Sequence, residues 1–158
     1  MKKFKIEIKW GIIFSILTLV WMYFEKSIGW HSVLISKHAI YTNLFAIIAI
    51  IVYVFALLDK RENFFGGKMI WKQGFISGIA LSAIIAFISP LTQYITHSVI
   101  TTEYFPNIIK YVVDNGKMAQ EAAENYFSLK SYILQSAFGA LTMGIVTAAI
   151  VAFFVKKQ

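Results

Sequence analysis

The 158-residue chain contains no cysteine. That excludes disulfide frameworks, thiolate metal sites and cysteine nucleophiles, while leaving the redox compartment open. A phosphate-binding glycine loop, a strained serine elbow and a paired-histidine zinc helix are also missing from the sequence. There is no internal repeat and no low-complexity tract. Acidic residues are scarce, eight against fifteen lysines and arginines, for a formal net charge of +7. Little is left from which to build an enzyme, since no acid–base or nucleophile set converges.

What the chain has in excess is apolar surface. Hydrophobic residues make up 58% of it, where soluble domains run nearer ~45–50%, and the mean hydropathy is +0.67. A bilayer-crossing helix needs ~20 apolar residues. Four segments meet that length, at about 10–28, 39–58, 74–94 and 132–155. The first follows a basic start, KKFKIEIK, and has some features of a signal peptide. Its apolar run ends in the bulky Trp21-Met22-Tyr23-Phe24, with a poor cleavage sequence after it, so we read it as an uncleaved first helix. One membrane domain over residues 1–158 is expected.

The charge is segregated. The N-terminus, the 59–72 loop and the C-terminus hold ten basic residues against Glu7, Asp59 and Glu62. The opposite side carries five lysines and five acids and sums to zero. Cytoplasmic loops carry such an excess of lysine and arginine. The sequence therefore predicts a multi-pass protein of a bacterial inner membrane with both termini cytoplasmic. Anionic lipid is a sufficient partner for the basic loops, and nucleic acid is not implied. The lysines are read as topology determinants and no more.

Outside the bilayer the sizeable stretch is about 102–130. Tyr104, Phe105, Ile108, Ile109, Val112 and Val113 recur at helical spacing, and Pro106 is acceptable in a first turn. Asn115-Gly116 should stop that helix. A second stripe, Met118, Ala122, Tyr126, Leu129 and Ile133, is expected to run without a break into the fourth span. The fold class is thus all-α, a four-helix transmembrane bundle with a short amphipathic outer helix between the third and fourth spans.

Two spans have a thin side. Ser136, Ala140, Gly144, Ala148 and Ala152 follow one another at every fourth position, as do Gly74, Gly78, Ser82 and Ala86, with Pro90 next. Four-residue steps stay on one helix face. In lipid, where hydrophobicity does little to join helices, small residues allow close backbone packing. The two ladders predict an antiparallel pair with Gly78 near Ala148, Ser82 near Gly144 and Ala86 near Ala140. Ser82 is expected to hydrogen-bond across to the fourth helix. The same pattern also serves homo-oligomers.

The stretches NFFGGKMIWKQGFISG and SPLTQYITHSVITTEYFPN, with Gly67, Trp71, Gly74 and Gly78 entering the third span, carry a family likeness. The chain resembles an uncharacterised domain-of-unknown-function family of small four-span membrane proteins from Bacteroidota. That resemblance implies four helices and an inner-membrane location. It supplies no activity, cofactor or catalytic residue.

Few polar groups are candidates for function. Glu25 lies in the first span, where an ionisable group is a functional candidate because burial is expensive. Pairing or snorkelling beside Lys26 at the interface would equally account for it. His31, His38 and His97 fall on the outer side and could meet Glu25 or Glu103 in a metal site. Their spacing matches no known ligand pattern, so neither a metal nor another cofactor is assigned, and they are read as interfacial. Asn43, Gln93 and Gln135 are read as hydrogen-bonding glue between helices, with cavity lining as the alternative. Pro90 should kink the third helix. Trp10, Trp30 and Trp71 fall at the predicted membrane boundaries. The expected role is non-enzymatic: an accessory or scaffold protein that meets a lipid, a protein partner or a second copy. The rival is a small oligomeric transporter or channel using Glu25 and the Pro90 kink.

Overall fold

The computed structural model describes residues 2–157; Met1, Gln158 and the side chain of Lys2, one of the basic residues counted above, lie outside the description. Seven α-helices follow one another: α1 (Lys5–Ser27), α2 (Ile35–Tyr41), α3 (Phe45–Asn63), α4 (Trp71–Ile95), α5 (Tyr104–Asp114), α6 (Gln120–Tyr126) and α7 (Leu129–Val155). Short 3-10 turns precede α1 and join α2 to α3, and a π-turn, Thr96–Ile100, extends α4. Four stretches are long and apolar enough to cross a membrane: Lys5–Ser27, Ile35–Asn63, Trp71–Ile100 and Leu129–Val155. Each reaches beyond its expected bounds at one end or both, because charged and amphipathic residues such as Lys5 and Lys130 continue the helix past the apolar run.

The most extensive contact in the bundle is between α4 and α7. Gly74, Gly78, Ser82 and Ala86 are buried on α4, and Gly144 and Ala148 on α7, with Ala140 partly buried against the core. A Cβ added to Gly78 would sit 2.3 Å from that of Ala148, and one on Gly74 would sit 3.2 Å from that of Ala152. Ser82 differs from expectation. Its hydroxyl donates within α4 to the Gly78 carbonyl (2.8 Å) and meets the Tyr53 hydroxyl of α3 at 2.7 Å. The carbonyl one turn back in its own helix takes the serine proton, and the tyrosine hydroxyl meets the same oxygen from α3.

Pro90 is accommodated inside α4, which runs on to Ile95. A proline removes the N–H that would bond the carbonyl four residues back. That carbonyl belongs to Ala86, and the Ser89 hydroxyl donates to it at 2.9 Å. A neighbouring hydroxyl is one of the ways by which transmembrane helices re-satisfy such a group.

The basic end is a knot rather than a set of free charges. Glu7 and Lys60 are both buried and 2.9 Å apart, and Ser77 donates to Glu7 at 2.6 Å, joining α1, α3 and α4. Lys60 also donates to the Lys3 carbonyl. Asp59 accepts from Trp10 Nε1 at 2.7 Å and pairs with Lys9. Arg61 donates to the Val155 carbonyl (2.9 Å), and Met69 and Lys157 exchange two backbone hydrogen bonds (2.7 and 2.9 Å). The N-terminus, the 59–72 loop and the C-terminus therefore meet at one end of the bundle. Lys60 is more than a topology determinant. A charge in so dry a place requires its partner.

At the other end α5 lies over the bundle, its buried Tyr104, Ile108 and Val112 packed with Ile35 and Ala123. Asn115 caps it and Gly116 turns the chain with φ +63°. The continuous stripe expected from Met118 into the fourth span is broken. α6 stops at Tyr126, Ser128 caps the start of α7 by accepting from the Ser131 N–H (3.3 Å), and the buried residue of α6 is Ala123, not Ala122. Ser128, a good N-cap, starts a new helix where apolar spacing alone suggested one helix.

Candidate functional site

The site begins with the turn after α1. Gly29 adopts φ +84°, open to glycine at no steric cost. The Trp30 N–H returns to the Glu25 carbonyl (3.0 Å), and the Leu34 N–H to the Gly29 carbonyl (2.8 Å). This tight reversal swings His31 back over the end of α1 and starts α2 so that His38 faces the same point. Glu25 is completely buried and His31 is 3% exposed. Glu25 Oε2 lies 2.9 Å from His31 Nε2 and 3.3 Å from His38 Nδ1, while Oε1 accepts from Trp21 Nε1. Glu25, His31 and His38 each bring a ligand-type atom within 4.8 Å of the others.

Lys26 is exposed and takes no part in this cluster. Pairing with it was the simple account of Glu25, and the geometry replaces that account. Helical spacing turns residue 26 away by about 100° from residue 25, so one faces the bundle and the other the surroundings. Glu103, the other acid considered, is exposed and outside the cluster.

α5 closes the cluster from outside. Tyr104 places its ring 5.1 Å from His31 and 5.0 Å from His38, and its hydroxyl meets that of Tyr132 at 3.0 Å. Burial first, and then the neighbouring Tyr132 hydroxyl, holds the Tyr104 phenol well above its usual range, so it stays protonated. Asn107 donates to the His31 carbonyl at 3.0 Å and ties the returning loop to the roof.

Beside the cluster is a cavity of about 540 Å³, lined by His31, His38, His97, Gln93 and Tyr104 among others. His97 Nε2 meets Gln93 Oε1 at 3.1 Å one helical turn away, and the His97 ring stacks on Phe105 at 4.2 Å. Asn43 and Gln135, which also line this cavity, hydrogen-bond within their own helices, to the Ala39 carbonyl and the Ser131 hydroxyl (both 2.8 Å). None of these three amides bridges two helices through those bonds; each takes the cavity-lining alternative. Among the described residues the buried Nδ1 atoms of His31, His38 and His97 have no hydrogen-bond partner, His38 Nδ1 being close to Glu25 but poorly aligned.

A second pocket of about 100 Å³ shares Gln93 and Ser136 with the first and continues past Thr92, Ser89, Thr18 and Ser15. Beyond these, α4 carries the buried Ser82 and Ser77, the latter bound to Glu7 at the basic end. Serine and threonine are common in spans and each has a carbonyl of its own helix to bond, so such hydroxyls carry no signal in the sequence. They do not share one face: Ser77 meets Glu7 of α1, while Ser82 turns to Tyr53 of α3 and Gly144 of α7. The cue for the histidine cluster was Gly29 between Glu25 and His31, a turn signal whose consequence depends on a fold-back that spacing does not show.

The chain belongs to a family described as protein of unknown function (DUF4199), whose model matches residues 9–157. No curated protein and no solved structure matches it.

Proposed function

We propose that this protein is a small cation carrier of the bacterial inner membrane, non-enzymatic, with both termini cytoplasmic and the histidine-lined cavity beside Glu25 opening on the opposite side. The observation that supports it best is a completely buried carboxylate gathered with histidines at a polar cavity. Intramembrane ionisable residues characteristically mark ion pathways and proton relays. The second pocket and the hydroxyls of α4 give a cation polar neighbours further into the bundle. Orientation follows from the basic residues at the end that holds both termini, and the Bacteroidota likeness implies the inner membrane. Lipid covers the exposed apolar faces of the spans.

Reconstitution tests the reading. Vesicles carry a proton-sensitive and a divalent-cation-sensitive dye inside and are energised by a potassium diffusion potential. The wild-type protein should give a signal from one dye that Glu25→Gln lacks. Silence from both dyes with an intact fold rejects the carrier and returns the accessory or scaffold role, alone or with a second copy.

A further inference from the structure

We propose that Glu25, His31 and His38 form a binding site for a divalent transition-metal ion of the zinc type. This deepens the carrier reading above and rests on it for its biological use, but the site stands on its own geometry. Zinc takes imidazole nitrogen and carboxylate oxygen at ~2.0–2.2 Å, and open sites hold it with two histidines and a glutamate, leaving one position free. Two ligand atoms on a tetrahedral ion of that radius are about 3.3 Å apart. The two histidine nitrogens lie 2.9 and 3.3 Å from one oxygen of Glu25, so two of the three donor pairs are near ligand separation, and all three atoms lie within 4.8 Å of one another.

The donor set selects the ion class. Imidazole suits zinc, copper, iron and nickel, whereas magnesium and calcium prefer oxygen, and thiolate-selecting ions find no cysteine in this chain. Electrostatics point the same way. A buried carboxylate needs a positive partner, and among the described residues Glu25 pairs with His31 and His38 and with no lysine or arginine. A divalent ion supplies that charge and leaves both imidazoles neutral. The surroundings behave as a second shell, which orients ligands in metal sites. Trp21 Nε1 occupies Glu25 Oε1 and leaves Oε2 to the histidine side, and Asn107 fixes the backbone of His31. His38 Nδ1, the nitrogen turned toward Glu25, is buried without a hydrogen-bond partner, as a nitrogen kept for a metal would be. His31 and His38 both line the cavity of about 540 Å³, so two of the three ligand residues border open space.

Cobalt(II) is the probe, because its visible absorption reports coordination number. The tag-free full-length protein in detergent is titrated with cobalt and then with zinc. One cobalt per chain, a four- or five-coordinate spectrum and displacement by zinc are expected. Glu25→Gln and His38→Asn should each weaken binding ten- to a hundredfold or more, while His97→Asn, in the same cavity but outside the ligand set, should leave affinity within about threefold. His38 is the half-buried member, so its variant keeps the test decisive if Glu25→Gln fails to fold. An octahedral aquo spectrum, or binding unchanged in His38→Asn, overturns the proposal. Because the readout is equilibrium binding, metal bound without vesicle flux rejects the carrier alone, and proton flux without metal binding rejects the metal site alone.

Discussion

Gly144 on α7 faces Ser82 on α4 so closely that a Cβ at position 144 would lie 2.4 Å from the serine Oγ and 2.5 Å from the Tyr53 hydroxyl. The missing side chain makes room for a buried hydroxyl pair that ties α3 to α4 beneath α7. Gly144→Ala should therefore cost about 1–3 kcal/mol through overpacking, and Gly144→Ile more. Val146, exposed on another face, should accept isoleucine with little change. Thermal melts of the three variants, run beside light scattering, check this. If Gly144→Ile only dissociated an oligomer and left the melt unchanged, the groove would serve a second copy instead.

Glu7 and Lys60 make a second forecast. Removing one member of a buried pair strands the other, at about 3–5 kcal/mol. Lys60→Met should be strongly destabilising, and adding Glu7→Gln should recover most of the loss. Melts of the wild type, each single variant and the double variant form a double-mutant cycle, and additivity would show the two residues to be uncoupled.

Ser89 and Pro90 are coupled through the Ala86 carbonyl. Ser89→Ala should lower stability by about 0.6–1.7 kcal/mol, the range of hydrogen bonds in membrane proteins. With Pro90→Ala present, the restored N–H takes the carbonyl and Ser89→Ala should become nearly neutral. Equal effects in both backgrounds would contradict this account of how α4 passes its proline.

Topology is tested in a chain that has no cysteine of its own. Single changes Lys3→Cys, Asn63→Cys and Lys117→Cys place thiols at three exposed positions. An impermeant thiol reagent applied to whole cells should label only the third. Labelling at position 63 would contradict the orientation.

The four spans and the outer helix were legible because each rests on a local signal: apolar run length, apolar spacing, or the Asn115-Gly116 stop. The small-residue ladders were legible for the same reason, since a four-residue period survives in any helix. Partners were harder to read. Lys60 looked like any other basic residue because Glu7, its partner, is 53 positions away. Glu25 appeared to have Lys26 for company, although adjacent residues on a helix point apart. His31 and His38 follow it by six and thirteen residues, a spacing without meaning until Gly29 reverses the chain. The break at Ser128 was hidden by apolar residues that kept helical spacing across it.

Glu25 is proposed to receive the cation through its buried carboxylate. Difference infrared spectroscopy of the full-length protein, with and without zinc, observes that carboxylate directly. A shift in the carboxylate stretching bands in the wild type, absent in Glu25→Gln of matched fold, is the predicted result. No carboxylate change, or the same change in both proteins, would contradict it.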